Sequence, residues 1–440
     1  MIDCIKGFEE FLCGKGLFAR GRLFEAFFTF QIRRNTNPFD QFHEGTGQGL
    51  FLELVERVSV SSYLESKERF EEAPPCEKAF PAEELLKPFD AVYHEEEILK
   101  QLLEAPFLWA QGWALSREEE SPVPLAWFHY LYGTTGWAAG NTLEEATHQA
   151  LGEVLERHAI SQVVEERKVC PTVSPGSIQS PLLQEILARF QKAGVEVLIK
   201  DFSGGFAIPT LAAIAHDPTP PHPKLSWYAA AGTHPNRELA LARALIELAQ
   251  HRAQFVYAEK VLKRPGGVTY CFPAFASEEE RRWIKEGPEI EFEEVASLKG
   301  QDFKEEVAQM VAQWQERGFS VYLVDCTHPQ LGLPAVVVSV PGARLNRPST
   351  KIHPYVILAR QFMKMARYAE AAKALEQAFV AQPGLKKVPQ ILCQAAKCYL
   401  EAGEPQKASS YFEEASKVAP YLLFSPKFRQ EWERAQSASN

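Results

Sequence analysis

Two nearly matching strings constrain this chain more than any other feature: Glu53-Leu-Val-Glu56-Arg57 and Glu153-Val-Leu-Glu156-Arg157. Each puts two carboxylates at i and i+3 on one helix face, with a guanidinium four residues after the first. A third string, Glu247-Leu-Ala-Gln250-His-Arg252, repeats the theme with an amide in the second place. In the segment opening at Thr142, Glu145, Gln149, Glu153 and Glu156 fall at i, i+4, i+8 and i+11, beside Ala146, Ala150, Leu151, Val154 and Leu155. Arg243, Glu247, Gln250 and Gln254 make an equivalent stripe among Leu241, Ala244, Leu245, Leu248 and Ala249. A solvated face laced with ion pairs explains any one such helix. Three of them carry too much apolar surface to lie outside the protein. Buried carboxylates are destabilising by several kcal/mol each unless cations or good partners compensate. Five Glu against two or three Arg leave a negative surplus that Mg²⁺, a cation of oxygen ligands, would neutralise. A nucleoside triphosphate held through magnesium fits such a site.

The approach to the second string agrees. Gly133-Thr-Thr-Gly136-Trp-Ala-Ala-Gly140-Asn141-Thr142 permits tight turns, and Thr142 with Glu145 predicts a capping box at the helix start. The loop is neither GxxxxGK[ST] nor GxGxxG, so P-loop and Rossmann chemistry are unsupported.

Elsewhere the pattern alternates short β-rich runs with long helices. Strands are expected at Val195–Asp201, Ile208–Ala215, Trp227–Ala231, Val321–Asp325 and Ala335–Val340. Helices are expected over Leu50–Ser59, Thr142–Val164 and Asn236–Tyr257, and a Pro-rich loop over Pro218–Pro223. Without strict βαβ periodicity this favours α+β over a doubly wound sheet. Residues 64–105 are acidic and Pro-rich and read as a variable peripheral segment. After Pro348 the chain turns Ala-rich and helical. Leu358, Phe362, Ala371, Leu375, Ala378 and Pro383 match tetratricopeptide spacing. So do Leu392, Ala396, Tyr399, Gly403, Ala408, Phe412, Ala415 and Pro420. Two units cannot form a stable solenoid alone and should pack on the main domain. The expected division is 1–345 and 346–440.

Together these motifs resemble the YcaO superfamily over residues 45–345. The likeness rests on Gly136-x-Ala-Ala-Gly-Asn-Thr142 leading to Glu153-x-x-Glu156-Arg157, on Gly232-Thr-His-Pro through Arg243, Glu247, Gln250 and Arg252, and on Leu333–Gly342. The resemblance implies an α+β domain, with long helices carrying Glu stripes, that binds ATP and Mg²⁺ and phosphorylates a peptide-backbone amide for attack by a nucleophile. It implies that Glu53, Glu56, Glu153, Glu156 and Glu247 face the metals. It implies that Asn141, Glu145, Gln149, Arg157 and Gln250 bind nucleotide or orient those carboxylates. Gly49 stands where family members usually carry Ser, and the terminal Ala435–Asn440 lacks the PxPxP ending typical of azoline-forming members. The expected reaction is therefore amide activation for thioamidation or methylthiolation-related sulfur modification, with a peptide or protein substrate and a sulfur-delivering partner. A non-catalytic adaptor with a degenerate nucleotide site, or an azoline-forming cyclodehydratase, is the alternative. A homodimer is compatible with this reading.

Charge and cysteines narrow the setting. A formal net charge of -10 argues against a general nucleic-acid binder. The 8 cysteines form no CxxC pair or zinc-finger spacing and read as reduced thiols. Met1–Lys6 shows no basic-then-apolar leader, and runs such as Leu333–Val340 are too short for a membrane span, so a cytoplasmic protein is expected. No GxSxG elbow accompanies the histidines, and His148, His158 and His251 are expected at the surface or in support of the stripes. Cys326 and His328, near neighbours at a strand end, are not expected to form a catalytic pair.

Overall fold

The computed structural model describes residues 48–66, 68–71, 81, 100, 107–218, 226–260, 277–345 and 353–439. The aromatic-rich start of the chain, most of the acidic 64–105 segment and most of the Pro218–Pro223 loop lie outside these residues.

The first Glu string lies in helix α1 (Gln48–Glu65). Four two-residue strands follow: β1 (Phe70–Glu71), β2 (Trp109–Ala110), β3 (Trp113–Ala114) and β4 (Glu119–Glu120). Helix α2 (Leu125–Tyr132) and strand β5 (Trp137–Ala139) lead to the long helix α3 (Leu143–Glu166). The middle of the chain supplies β6 (Thr172–Val173), α4 (Pro181–Lys192), β7 (Glu196–Asp201), β8 (Thr210–His216), β9 (Trp227–Thr233) and α5 (Arg237–Lys260). Then come α6 (Glu278–Lys285), β10 (Glu289–Ile290), α7 (Phe303–Gln315), β11 (Tyr322–Asp325) and β12 (Ala335–Ser339). All five expected strands and the three expected helices are present, each within a few residues of its expected bounds.

These strands form two five-stranded sheets, ordered β10-β6-β7-β8-β9 and β4-β3-β11-β12-β5. Every pairing is antiparallel except β10 with β6. This is the α+β arrangement expected. Helix α3 packs on β5 and β12 of one sheet and on β8 and β9 of the other. Its position explains its composition: Ala146, Ala150, Leu151, Val154 and Leu155 are all buried, so only a narrow polar stripe escapes apolar contact. Helix α1 covers β5 and β12, while α5 covers β8 and β9. Gly232 lets α5 approach closely, because a Cβ on it would meet the Ala240 carbonyl and the Ala244 nitrogen.

One local expectation needs correction. The Thr142 hydroxyl does accept the Glu145 N–H at 3.1 Å. The returning carboxylate does not bond Thr142; Glu145 Oε2 accepts from the backbone N–H of Asn141 at 2.8 Å and from its side-chain amide at 2.9 Å. The carboxylate half of the capping box is thus shifted by one residue, to Asn141.

The carboxy-terminal part is helical: α8 (Pro354–Lys364), α9 (Tyr368–Ala381), α10 (Pro389–Glu401), α11 (Pro405–Val418) and α12 (Pro426–Ser439). Successive helices pack on each other. Leu375, Ala378, Leu392, Ala396, Ala408, Phe412 and Ala415 are fully buried between them. Pro383 and Pro420 each open a short 3₁₀ turn after the second helix of a hairpin. Helix α8 docks on α2. Lys364 bonds the Leu64 carbonyl and places its ammonium 3.6 Å from the Phe70 ring centroid. One continuous apolar core therefore runs from the β11–β12 sheet into the helical tail. Among the described residues, no helix is long and apolar enough to cross a membrane.

Candidate active site

A cleft of about 400 Å³ opens between α1, β5 and α3, and its walls include Glu53, Glu56, Arg57, Glu145, Gln149 and Glu153. Five of the ten residues singled out from sequence therefore line one cavity. The strands position them. Strand β5 pairs with β12 and is covered by both helices, which turns the two Glu-x-x-Glu-Arg faces toward each other.

The carboxylates are held in a desolvated setting. Burial pushes the Glu56 carboxyl up to about 8, against the pull of Arg57 and with a further push from Glu153 and Glu53. Burial likewise raises Glu156, against Arg157 and with help from Glu247 and Glu153. Glu153 is also raised by burial, with Arg157 opposing. The guanidiniums stand off rather than clamp. Arg57 lies 3.6 Å from Glu53 and 3.4 Å from Glu56, and Arg157 lies 3.7 Å from both Glu153 and Glu156. Longer separations of this kind leave carboxylate lone pairs open to another cation. Glu153 Oε2 also accepts the Gly136 N–H at 3.0 Å.

Helix α5 completes the array. Glu247 acts electrostatically on both Glu153 and Glu156, so it shares their neighbourhood. Arg243 donates to Gln149 Oε1 at 2.7 Å and to the Thr233 carbonyl at 3.1 Å, tying α5 to α3 and β9. Asn141 sits exposed, held by Glu145. Gln250 is exposed one turn beyond Glu247 and is not among the residues of the cleft wall. Arg252, the cation of the third string, faces elsewhere: its Nε bonds Asp217 Oδ2 at 2.7 Å. The acid surplus is therefore opposed chiefly by Arg57, Arg157 and Arg243.

Sequence reasoning missed Trp137, whose ring lines the cleft 5.9 Å from the Arg57 guanidinium. Its place inside the Gly136–Gly140 loop was the available signal. The histidine expectations divide. His251 Nε2 lies 3.6 Å from Glu247 Oε1 and stands beside the array as expected. His148 and His158 are not at the surface but buried. His158 accepts the Arg344 N–H at 2.9 Å and packs against Trp314. Cys326 is buried, and burial raises its thiol well above the usual range, which leaves it a poor nucleophile.

Oxygen donors dominate this cleft, which suits a hard divalent cation rather than a thiophilic one. Fold and site together define an α+β domain with a carboxylate-lined cleft. The family pattern described as YcaO cyclodehydratase, ATP- and Mg²⁺-binding, matches residues 48–344, and the chain belongs to that family. It is 31% identical over 310 residues to an uncharacterised protein of Methanothermobacter thermautotrophicus, covering 65% of this chain and 78% of that one. It is 29% identical over 132 residues to the ribosomal protein S12 methylthiotransferase accessory factor YcaO of Escherichia coli, covering 30% of this chain and 22% of that protein. Its fold resembles YcaO from Methanopyrus kandleri bound with AMPPCP and Mg²⁺, with a TM-score of 0.57 and 23% identity over 78% of this chain and 90% of that one.

Proposed function

We propose that this protein binds Mg²⁺-ATP in the α1–α3–α5 cleft and activates a backbone amide of a peptide or protein for sulfur modification. The observation that carries this reading is the convergence of five carboxyls, Glu53, Glu56, Glu153, Glu156 and Glu247, in one desolvated neighbourhood opposed by three guanidiniums, Arg57, Arg157 and Arg243. Glu53, Glu56, Glu153, Glu156 and Glu247 are the proposed metal-facing residues. Asn141, Glu145, Gln149, Arg157 and Gln250 are proposed to contact nucleotide or to hold those carboxylates. When bound, Mg²⁺-ATP supplies the phosphoryl group that makes an amide oxygen a leaving group.

The chain's own part is positioning and charge. The Gly136 N–H fixes Glu153 Oε2, and Oε1 lies 3.7 Å from Arg157. Arg243 fixes Gln149 Oε1 and leaves the Gln149 amide donors for an anion. Such fixed dipoles stabilise developing charge without reorganising during the reaction. The likeness to an accessory factor of a methylthiotransferase supports sulfur chemistry and a partner protein as the setting. The helical hairpins of 346–440, read as tetratricopeptide-like units, are the proposed surface for that partner.

Calorimetry tests the assignment. ATP should bind only with Mg²⁺, and Glu153→Gln or Glu156→Gln should each weaken it by about tenfold or more, roughly 1.4 kcal/mol. Unchanged affinity in both variants removes the site. Magnesium-dependent binding with no ADP release in the presence of any peptide would instead indicate an adaptor.

A further inference from the structure

A second cluster of ligand-type side chains lies outside the acidic cleft. His148 of α3, His234 of the β9–α5 turn and Glu306 of α7 bring one ligand atom each within 4.8 Å of one another. The three come from elements far apart in the chain, so their meeting is a product of the fold. His148 is 1% exposed, and neither of its ring nitrogens makes a hydrogen bond. Yet its Nε2 stands 2.8 Å from Glu306 Oε2. A buried imidazole without a hydrogen bond, facing a carboxylate at this distance, can take up a shared cation if the two groups part slightly. The His148 and His234 ring centroids are 5.0 Å apart, with the rings edge to face.

We infer that His148, His234 and Glu306 form a binding site for a transition-metal cation of the Zn²⁺ class, distinct from the magnesium-type cleft. Two imidazoles and one carboxylate are a zinc donor set, and nitrogen donors disfavour Mg²⁺. Tetrahedral zinc with bonds of about 2.0–2.2 Å holds its ligand atoms roughly 3.3–3.6 Å apart, within small side-chain adjustments of the spacing here. Imidazole ligates in its neutral form. Arg243 would repel an incoming cation, but its guanidinium is already engaged by Gln149 and the Thr233 carbonyl. It also faces the charges of Glu156 and Glu306. His234 Nδ1 accepts the Asn236 N–H at 2.9 Å. Ligation through Nε2 puts the ring proton on Nδ1 and gives up that bond, a cost the metal bond must exceed. Glu306 is 14% exposed on its side chain against 1% for His148, so the ion and a water as fourth ligand would reach the site from the Glu306 side. The bound ion would pin α3 to α7 and to the start of α5, one residue from Gln149.

The test uses the full chain, stripped with a chelator and resupplied with Zn²⁺ alone. After gel filtration, elemental analysis should find about one zinc per chain, retained in excess Mg²⁺. His234→Ala and Glu306→Gln should each reduce retention at least roughly tenfold while circular dichroism shows them folded. Co²⁺ in place of Zn²⁺ should give tetrahedral visible absorption that both variants lose. Wild-type protein that retains no stoichiometric zinc overturns the inference, whatever the variants do. So does zinc held equally by both variants, or zinc displaced by Mg²⁺, which would put it in the acidic cleft. None of these readings depends on ATP binding, so their failure leaves the proposed function standing.

Discussion

The backbone N–H of Gly136 donates to Glu153 Oε2 at 3.0 Å, joining the loop before β5 to the middle of α3. Gly136 has φ 78°, and a Cβ there would run into the Val338 carbonyl. Gly136→Ala should therefore destabilise the protein by about 1–3 kcal/mol and release Glu153 from its donor. Thermal unfolding and ATP calorimetry should both report the loss. A variant matching wild type in both would show that this contact positions nothing.

The raised carboxyls set the pH response. The Glu56 carboxyl moves from 4.5 when unfolded to about 8 when folded. Between those values the folded state binds more protons than the unfolded one, so ligand-free stability should fall as pH rises. Magnesium-bound nucleotide competes with those protons, so its affinity should rise with pH through the same window. Glu56→Gln should flatten both slopes. Ligand-free stability that increases from pH 5 to 8 (about the window implied by the shift) would contradict the assignment.

Function and stability should separate at Glu156. Its desolvated carboxyl meets Arg157 at 3.7 Å rather than at hydrogen-bond distance. Replacing it with an isosteric amide removes the charge this group takes on as pH rises through its raised value of about 8. Glu156→Gln should raise the melting temperature of the ligand-free protein while abolishing the extra stabilisation given by Mg²⁺-ATP. A variant that melts lower than wild type and keeps that stabilisation would mark Glu156 as structural.

The tail should not stand alone. Val356, Ile357, Leu358 and Ala359 of α8 are buried, and α8 docks on α2. A fragment spanning residues 350–440 exposes that face, so it should show reduced helicity or aggregate. A monomeric fragment with a cooperative melt would sink this expectation. In the full chain, Leu358→Ala should cost about 2–5 kcal/mol, read by chemical denaturation.

How much of this was legible beforehand depends on how local each signal is. Helix α3 announced itself through Thr142, its i, i+4, i+8 and i+11 polar stripe and the Ala/Leu face beside it, because helical periodicity is written in neighbouring residues. The strands read equally well, since β7, β8, β9, β11 and β12 are short apolar runs with clear bounds. The tail hairpins repeated one pattern of buried Ala and aromatic positions. Glu145 misled only in its partner: Thr142 and Asn141 are adjacent, and nothing in their types says which N–H the carboxylate takes.

The sequence by itself determined the five longer strands, the three stripe-bearing helices and the family to which they belong, while short pieces such as β5 and helices such as α4 and α7 were not legible in it. Tertiary structure alone decided which stripes meet. It brought Glu53 and Glu56 against Glu153 across β5, turned Arg252 away to Asp217, and gathered His148, His234 and Glu306 from three elements. The physical reason is that burial and charge proximity depend on sheet order and helix packing, which place residues far apart in the chain within a few ångströms. A helix carries its own face in its sequence, but its electrostatic neighbours belong to whatever packs against it.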